Sequence, residues 1–147
     1  MTVKEISPQQ AYDILTNEPN AVYIDVRTPH EFEAGHPGGA VNIPVAFPNP
    51  AQGRVVANDD FVKVVESHFG KEKKIIVGCL AGPRSNAAAR LLQAAGYQDV
   101  SNVIGGFGGM RDSMGRIIAP GWADLGLPVS QDNGEGVSYA SLSAKTR

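Results

Sequence analysis

Lys74-Ile75-Ile76-Val77-Gly78 runs without interruption into Cys79-Leu80-Ala81-Gly82-Pro83-Arg84-Ser85. The first segment is a continuous β-branched run with no polar alternation, the pattern of a strand covered on both faces of a sheet. A short loop holding Gly82 follows. From about Ser85, apolar residues recur at Ala88, Leu91, Leu92 and Ala95, and Gly96 closes the series; this is helical spacing with a glycine stop. A buried strand that feeds a helix through a tight loop is the repeating unit of an α/β fold.

The flanking sequence repeats that unit. Ser7-Pro8-Gln9-Gln10 carries a capping serine, a proline at the first helical position and a glutamine three residues after the cap, with Ala11, Ile14 and Leu15 beyond it. Thr28-Pro29-His30-Glu31 repeats the device before Phe32, and Gly35 ends that short helix. Asn58 is placed to cap a third helix, whose Phe61, Val64, Val65 and His68 share one face before Gly70. Further strands are expected at 21–26, 40–43 and 100–104. The sequence therefore predicts a single α/β domain over residues 1–130, with a central, mainly parallel sheet flanked by helices. Pro44 to Ala57 reads as a long loop and Gly105 to Pro128 as a glycine- and proline-rich one. Residues 131–147 are polar and are expected to form a disordered tail.

The chain has 147 residues, 42% of them apolar and 19% charged, with a net charge of −2. That length suits one domain, and the weak charge gives no reason to expect nucleic acid or an anionic membrane as partner. Any anion site must then be local. Cys79 is the only cysteine, which rules out an internal disulfide, a cysteine-rich zinc site and a dithiol cycle within the chain. Met1-Thr2-Val3-Lys4-Glu5-Ile6 has no apolar signal core, and no apolar run approaches the roughly 18 residues of a membrane span. The expected setting is soluble and cytoplasmic, with no metal and no cofactor. Gly105-Gly106 is expected to permit a close turn, since a nucleotide loop needs further glycines and a lysine.

Cys79 stands at the carboxyl end of the most buried strand, the edge where open α/β sheets bind ligands. Successive backbone N–H groups in the loop converge into an anion nest, and the helix N-terminus adds roughly half a positive charge. Arg84 adds a full one. This surround favours a charged sulfur, whether thiolate or persulfide. A lone cysteine at a strand end is ordinarily a small buried hydrophobe; a glycine three residues on, an arginine five on and a helix directly after are hard to explain by packing.

Cys-x-x-Gly-x-Arg-Ser after a hydrophobic strand resembles the active-site loop of the rhodanese-like sulfurtransferases. Asp25-Val26-Arg27-Thr28-Pro29-His30-Glu31-Phe32-Glu33-Ala34-Gly35-His36-Pro37-Gly38-Gly39-Ala40-Val41-Asn42-Ile43-Pro44 resembles the signature that precedes that loop in the family. Gly105-Gly106-Phe107, Trp122 and Gly126-Leu127-Pro128-Val129 are similar to its closing segment. The resemblance spans about residues 5 to 130 and implies a ping-pong reaction. Cys79 attacks the outer sulfur of a donor such as thiosulfate, sulfite leaves, and the persulfide passes to cyanide or a thiol, a protein thiol included. Cys79 to Arg84 is a six-residue loop, whereas the related phosphatases and arsenate reductases carry one residue more and usually a histidine where Gly78 stands. A smaller cradle suits sulfur better than a tetrahedral phosphate.

The departures are local. Pro83 removes one N–H from the cradle, leaving those of Leu80, Ala81, Gly82, Arg84 and Ser85. Leu80 and Ala81 are apolar where many relatives are polar, and His36-Pro37-Gly38-Gly39-Ala40 alters a usual turn. Residues 108–121 read as an insertion, a lid or docking surface holding Arg111 and Arg116. The resemblance places Asp25 near the loop, expected to accept hydrogen bonds from Arg84 or from loop amides. Arg27 either binds a thiosulfate oxygen or pairs with Glu31 or Glu33; Arg84 is a strut to Asp25 or a substrate ligand. Ser85 is expected as a helix cap, with a hydrogen bond to sulfur as the alternative. His36 and Trp122 read as packing residues. Three functions follow in order: a sulfurtransferase, a rhodanese-like binding or sulfur- and redox-sensing module with little turnover, and a cysteine-dependent phosphatase or arsenate reductase.

Overall fold

The computed structural model describes residues 3–81 and 83–144; Gly82 of the loop and the last three residues of the tail lie outside them. In chain order the elements are β1 (Lys4–Ile6), α1 (Pro8–Asn17), β2 (Ala21–Asp25), α2 (Pro29–Ala34), β3 (His36–Pro37), β4 (Val41–Asn42), β5 (Ala46–Asn49), β6 (Arg54–Ala57), α3 (Phe61–His68), β7 (Lys74–Gly78), α4 (Pro83–Ala94), β8 (Asp99–Val103), β9 (Met110–Arg111), β10 (Ile117–Ala119), β11 (Val129–Ser130) and α5 (Tyr139–Ala144). A five-stranded sheet in the order β1-β8-β7-β2-β4 forms the centre, and every pairing in it is parallel. The α/β class and the helix-flanked parallel sheet follow the sequence reading.

Register brings the carboxyl ends of the strands level. Asp25 stands opposite Gly78 and Asn42, and Val77 opposite Asn102. The residue after Gly78 is Cys79, so the cysteine emerges between Asp25 and the end of β8.

Alternation along β7 divides the core. Ile75, Val77 and Cys79 point into one layer with Phe61, Val64, Val65, Ala88 and Leu92 of α3 and α4. Ile76 points into the other with Ala11, Tyr23, Phe32 and Trp122. Trp122 meets Tyr12 and Tyr23 edge-on at centroid distances of 5.9 and 5.7 Å, and its indole N–H donates to Pro128 O at 2.7 Å. Both capping boxes form as the sequence predicts. The Ser7 hydroxyl accepts from Gln10 N while Gln10 Oε1 accepts from Ser7 N, and Thr28 and Glu31 exchange the same pair of bonds.

Several expectations are corrected. The stretch from Pro44 to Ala57 is not all loop, because β5 and β6 pair antiparallel with Phe47 opposite Val56. Pro48 is tolerated there because the hairpin has only two strands, so its missing N–H breaks no sheet ladder. Asn58 does not cap α3, whose N-cap is Asp60. Its side chain instead accepts from Asp60 N at 3.1 Å and donates to Pro44 O at 2.8 Å. On α4 the buried face is Ser85, Ala88, Ala89 and Leu92, while Leu91 is exposed. The insertion at 108–121 folds into the β9–β10 hairpin. Arg111 pairs with Asp124, and Arg116 with Asp112.

The tail is corrected as well: as far as residue 144 it is placed against the domain. Leu142 is buried in the α3 layer, His68 Nε2 lies 2.8 Å from Leu142 O, and Tyr139 OH accepts from Asn58 Nδ2 at 3.1 Å. Val137 O accepts from Asn42 N at 2.9 Å, on the outer side of β4. Low apolar content over the whole segment hid this, since a single helical turn needs only Tyr139 and Leu142 to dock.

Candidate active site

The site is built where β7 ends. Three consecutive carbonyls there are taken by amides from other segments: Gly78 O by Val26 N at 3.0 Å, Cys79 O by Phe107 N at 2.8 Å and Leu80 O by Gly108 N at 2.8 Å. The Gly106-Phe107-Gly108 segment therefore clamps the start of the loop. Gly106 has φ +52°, and a Cβ there would lie 2.3 Å from Cys79 O, so the close approach demands glycine. Gly78 has its own reason: a Cβ would stand 1.8 Å from the Tyr23 hydroxyl. Burial pushes that hydroxyl's pKa well above its ordinary value, and the charge of Asp25 adds to the effect.

Cys79 is 1% exposed, with Leu80 beside it 43% exposed. Ala81 is half-buried, and Pro83 opens α4. Gly82, one of the expected cradle residues, lies outside the described residues.

The two arginines take partners other than those expected. Arg27 folds back on Asp25: Nε lies 3.0 Å from Oδ1 and Nη2 2.8 Å from Oδ2, and the Arg27 amide also donates to Oδ1 at 3.0 Å. Nη2 donates to Gly35 O at 2.7 Å, and the guanidinium lies 4.6 Å from the centroid of the Phe107 ring. The pair is almost fully buried. Two residues past the end of β2, Arg27 reaches Asp25 from the same turn, and that proximity takes the carboxylate before Arg84 can.

Arg84 pairs with Glu31 instead, through Nη1–Oε1 at 2.7 Å and Nη2–Oε2 at 3.1 Å. Partial burial pushes the Glu31 carboxyl up. The hydrogen bonds from Arg84 and Thr28 and the charge of Arg84 outweigh this and bring its pKa down to about 2. Arg84 is held charged first by its hydrogen bonds to Glu31, against partial desolvation, and the charges of Glu31, Cys79 and Asp25 act in the same direction.

Ser85 is not a cap. It is the third residue of α4, fully buried, and its hydroxyl donates to Asn102 Oδ1 at 2.5 Å. Asn102 Nδ2 donates in turn to Glu5 Oε2 at 2.9 Å. Beside this chain a groove of about 400 Å³ is lined by Ala81, Pro83, Asn102, Ile104, Gly105 and Met110, among others. His36 stacks on Phe32 at 3.5 Å, with Nδ1 2.7 Å from Phe32 O, a packing arrangement.

The structure thus gathers Cys79, Leu80, Ala81, Arg84, Ser85, Asp25 and Arg27 at one sheet edge. Sequence reasoning named Glu31 only as a partner for Arg27 and Phe107 only as part of the closing motif, and it missed Asn102. Glu31 was already explained by its capping box, and Phe107 followed a glycine pair read only as a turn. Asn102 did carry a signal: an amide between Val100 and Val103 in an expected strand needs a partner once buried.

The family model described as the rhodanese-like domain matches residues 7–112. The chain is 41% identical to thiosulfate sulfurtransferase 16, chloroplastic, of Arabidopsis thaliana over 107 residues, 73% of this chain and 78% of that protein. It is also 41% identical over 91 residues to the Arabidopsis thaliana protein HIGH ARSENIC CONTENT 1, mitochondrial, covering 62% of this chain and 53% of that one. Among solved structures, the crystal structure of Rv0390 from M. tuberculosis superposes with a TM-score of 0.74 at 31% identity, over 90% of this chain and 100% of that one.

Proposed function

The chain belongs to the rhodanese-like domain family, and on that premise we propose that it is a sulfurtransferase carrying sulfane sulfur as a persulfide on Cys79. The observation that carries the reading is the position of Cys79. It directly follows the central strand β7, in a six-residue loop that ends on Arg84 at the start of α4.

In the first half-reaction the Cys79 thiolate attacks the outer sulfur of thiosulfate. The S–S bond of the donor breaks, and sulfite leaves with the electron pair. In the second, cyanide or a thiolate attacks the outer persulfide sulfur and Cys79 leaves as thiolate. Atoms and charge balance with no outside oxidant. Backbone N–H groups at the start of α4 and the charge of Arg84 favour the anionic sulfur in both resting forms. With Arg84 anchored on Glu31 and Arg27 on Asp25, the two guanidiniums act as fixed charges. Holding them in place removes the reorganisation that mobile side chains would require.

The single cysteine supports this reading, because a second thiol in the chain would discharge the persulfide as a disulfide. Family membership alone leaves open a module with little turnover, to which the exposed, apolar Leu80 is suited. The arsenic-related name of one relative makes arsenate a second substrate to try.

The test is intact mass after incubation with thiosulfate, with Cys79→Ser as control. The parent is expected to gain one sulfur atom, lose it on addition of cyanide with formation of thiocyanate, and leave the control unchanged. No gain across thiosulfate, polysulfide and organic persulfide donors would defeat sulfur transfer and leave the binding module. Thiol-dependent reduction of arsenate without any sulfur gain would favour the arsenic reading.

A further inference from the structure

We propose that Asn102 is a positioning residue for the Cys79 loop, acting through Ser85 on the first turn of α4. The proposal rests on the reading of Cys79 as the sulfur carrier and adds a group that touches no substrate.

Asn102 is 4% exposed on β8, opposite Val77. Both ends of its amide are committed. Nδ2 donates to Glu5 Oε2 at the surface, and Oδ1 accepts from the Ser85 hydroxyl inside. Ser85 is fully buried, so this bond touches no substrate.

What the bond does instead is mechanical. The first turn of α4 carries Arg84 and presents the N–H groups of Arg84 and Ser85; Pro83 contributes none. Side-chain tethers on both sides hold that turn. Arg84 ties it to Glu31 on α2, and Ser85 ties it to Asn102 on β8. A turn held on both sides keeps its N–H groups aimed. A turn that loses the Ser85 tether is held less tightly, and electrostatic stabilisation of a charged sulfur falls away with misalignment.

The test is a double-mutant cycle of Asn102→Leu and Ser85→Ala. It is read by the rate at which iodoacetamide alkylates Cys79 and by kcat and KM for thiosulfate:cyanide transfer. Each single variant is expected to slow alkylation and kcat by roughly five- to tenfold. The double variant should be no slower than the worse single, since both remove one bond. KM is expected to change less than kcat, and Ser85→Thr, which keeps the hydroxyl, to recover most of the rate. Wild-type alkylation in either single variant, or multiplicative effects in the double, would overturn the proposal. If Asn102→Leu does not fold, Ser85→Ala against Ser85→Thr decides by itself, with equal rates in the two overturning it. Alkylation needs no sulfur donor, so a parent protein that fails to load sulfur counts against the proposed function and leaves this result standing.

Discussion

Arg84 rests on Glu31 in a two-pronged pair, Nη1–Oε1 at 2.7 Å and Nη2–Oε2 at 3.1 Å, although Asp25 stands opposite Gly78, the residue before the cysteine. Glu31 thereby serves two elements at once, closing the capping box of α2 and holding the first turn of α4.

Glu31→Gln is expected to destabilise the protein at pH 7 by about 1–2 kcal/mol, the range of a partly buried charge-assisted pair. The pKa of Glu31 is depressed from its ordinary 4.5 to about 2. Its contribution is therefore fully present above pH 4.5 and is lost as pH falls towards 2. Urea melts of parent and variant should differ at pH 7 and converge near pH 2. A constant difference across that window would contradict the assignment.

Breaking the buried Arg27–Asp25 pair is more damaging. Arg27→Ala leaves Asp25 buried without its cation and is expected to lower stability by roughly 3–5 kcal/mol. Arg27→Lys should recover only part, since an ammonium cannot reproduce the forked contact with Asp25 and Gly35 O. Chemical denaturation of both variants checks this. Full recovery by lysine would show that charge alone matters.

Gly78→Ala is expected to cost at least 2 kcal/mol, on the order of other overpacking changes, because its methyl group meets the Tyr23 hydroxyl at 1.8 Å. Combining it with Tyr23→Phe removes that oxygen but leaves the ring carbon at 2.6 Å. The double variant should be more stable than Gly78→Ala, yet below Tyr23→Phe. Thermal melts of the three read this directly, and strict additivity would disprove the contact.

Leu142→Ala should lower stability by about 2–3 kcal/mol, as for other buried leucines, and should speed hydrogen exchange at Asn42 and Asn58, which the tail touches. Unchanged exchange at both would mean that the tail does not dock.

Much of this arrangement is legible in the sequence, and the limits are physical. β7, α4 and both capping boxes are written in local periodicity and in residues that act within four positions of themselves. That is why Lys74–Gly78 and Ser7–Gln10 could be placed directly. The pairing of Arg84 with Glu31 spans 53 positions, and that of Ser85 with Asn102 spans 17. Nothing in local pattern ranks Asp25 above Glu31 as the partner of Arg84. The β5–β6 hairpin was obscured by its prolines, and α5 by a polar background in which Leu142 is the only strongly apolar anchor.

The bond from Asn42 to Val137 carries a practical consequence for handling the protein. β4 is the outermost strand on its side of the central sheet, and the returning tail occupies its outward amide. A version trimmed at residue 130, where composition would draw the boundary, would keep all the loop chemistry yet bare an unpaired β-rim beside newly uncovered hydrocarbon. Such a rim invites intermolecular strand pairing. Material cut there would be prone to precipitate on concentration, so the thiosulfate test belongs on protein that keeps the tail.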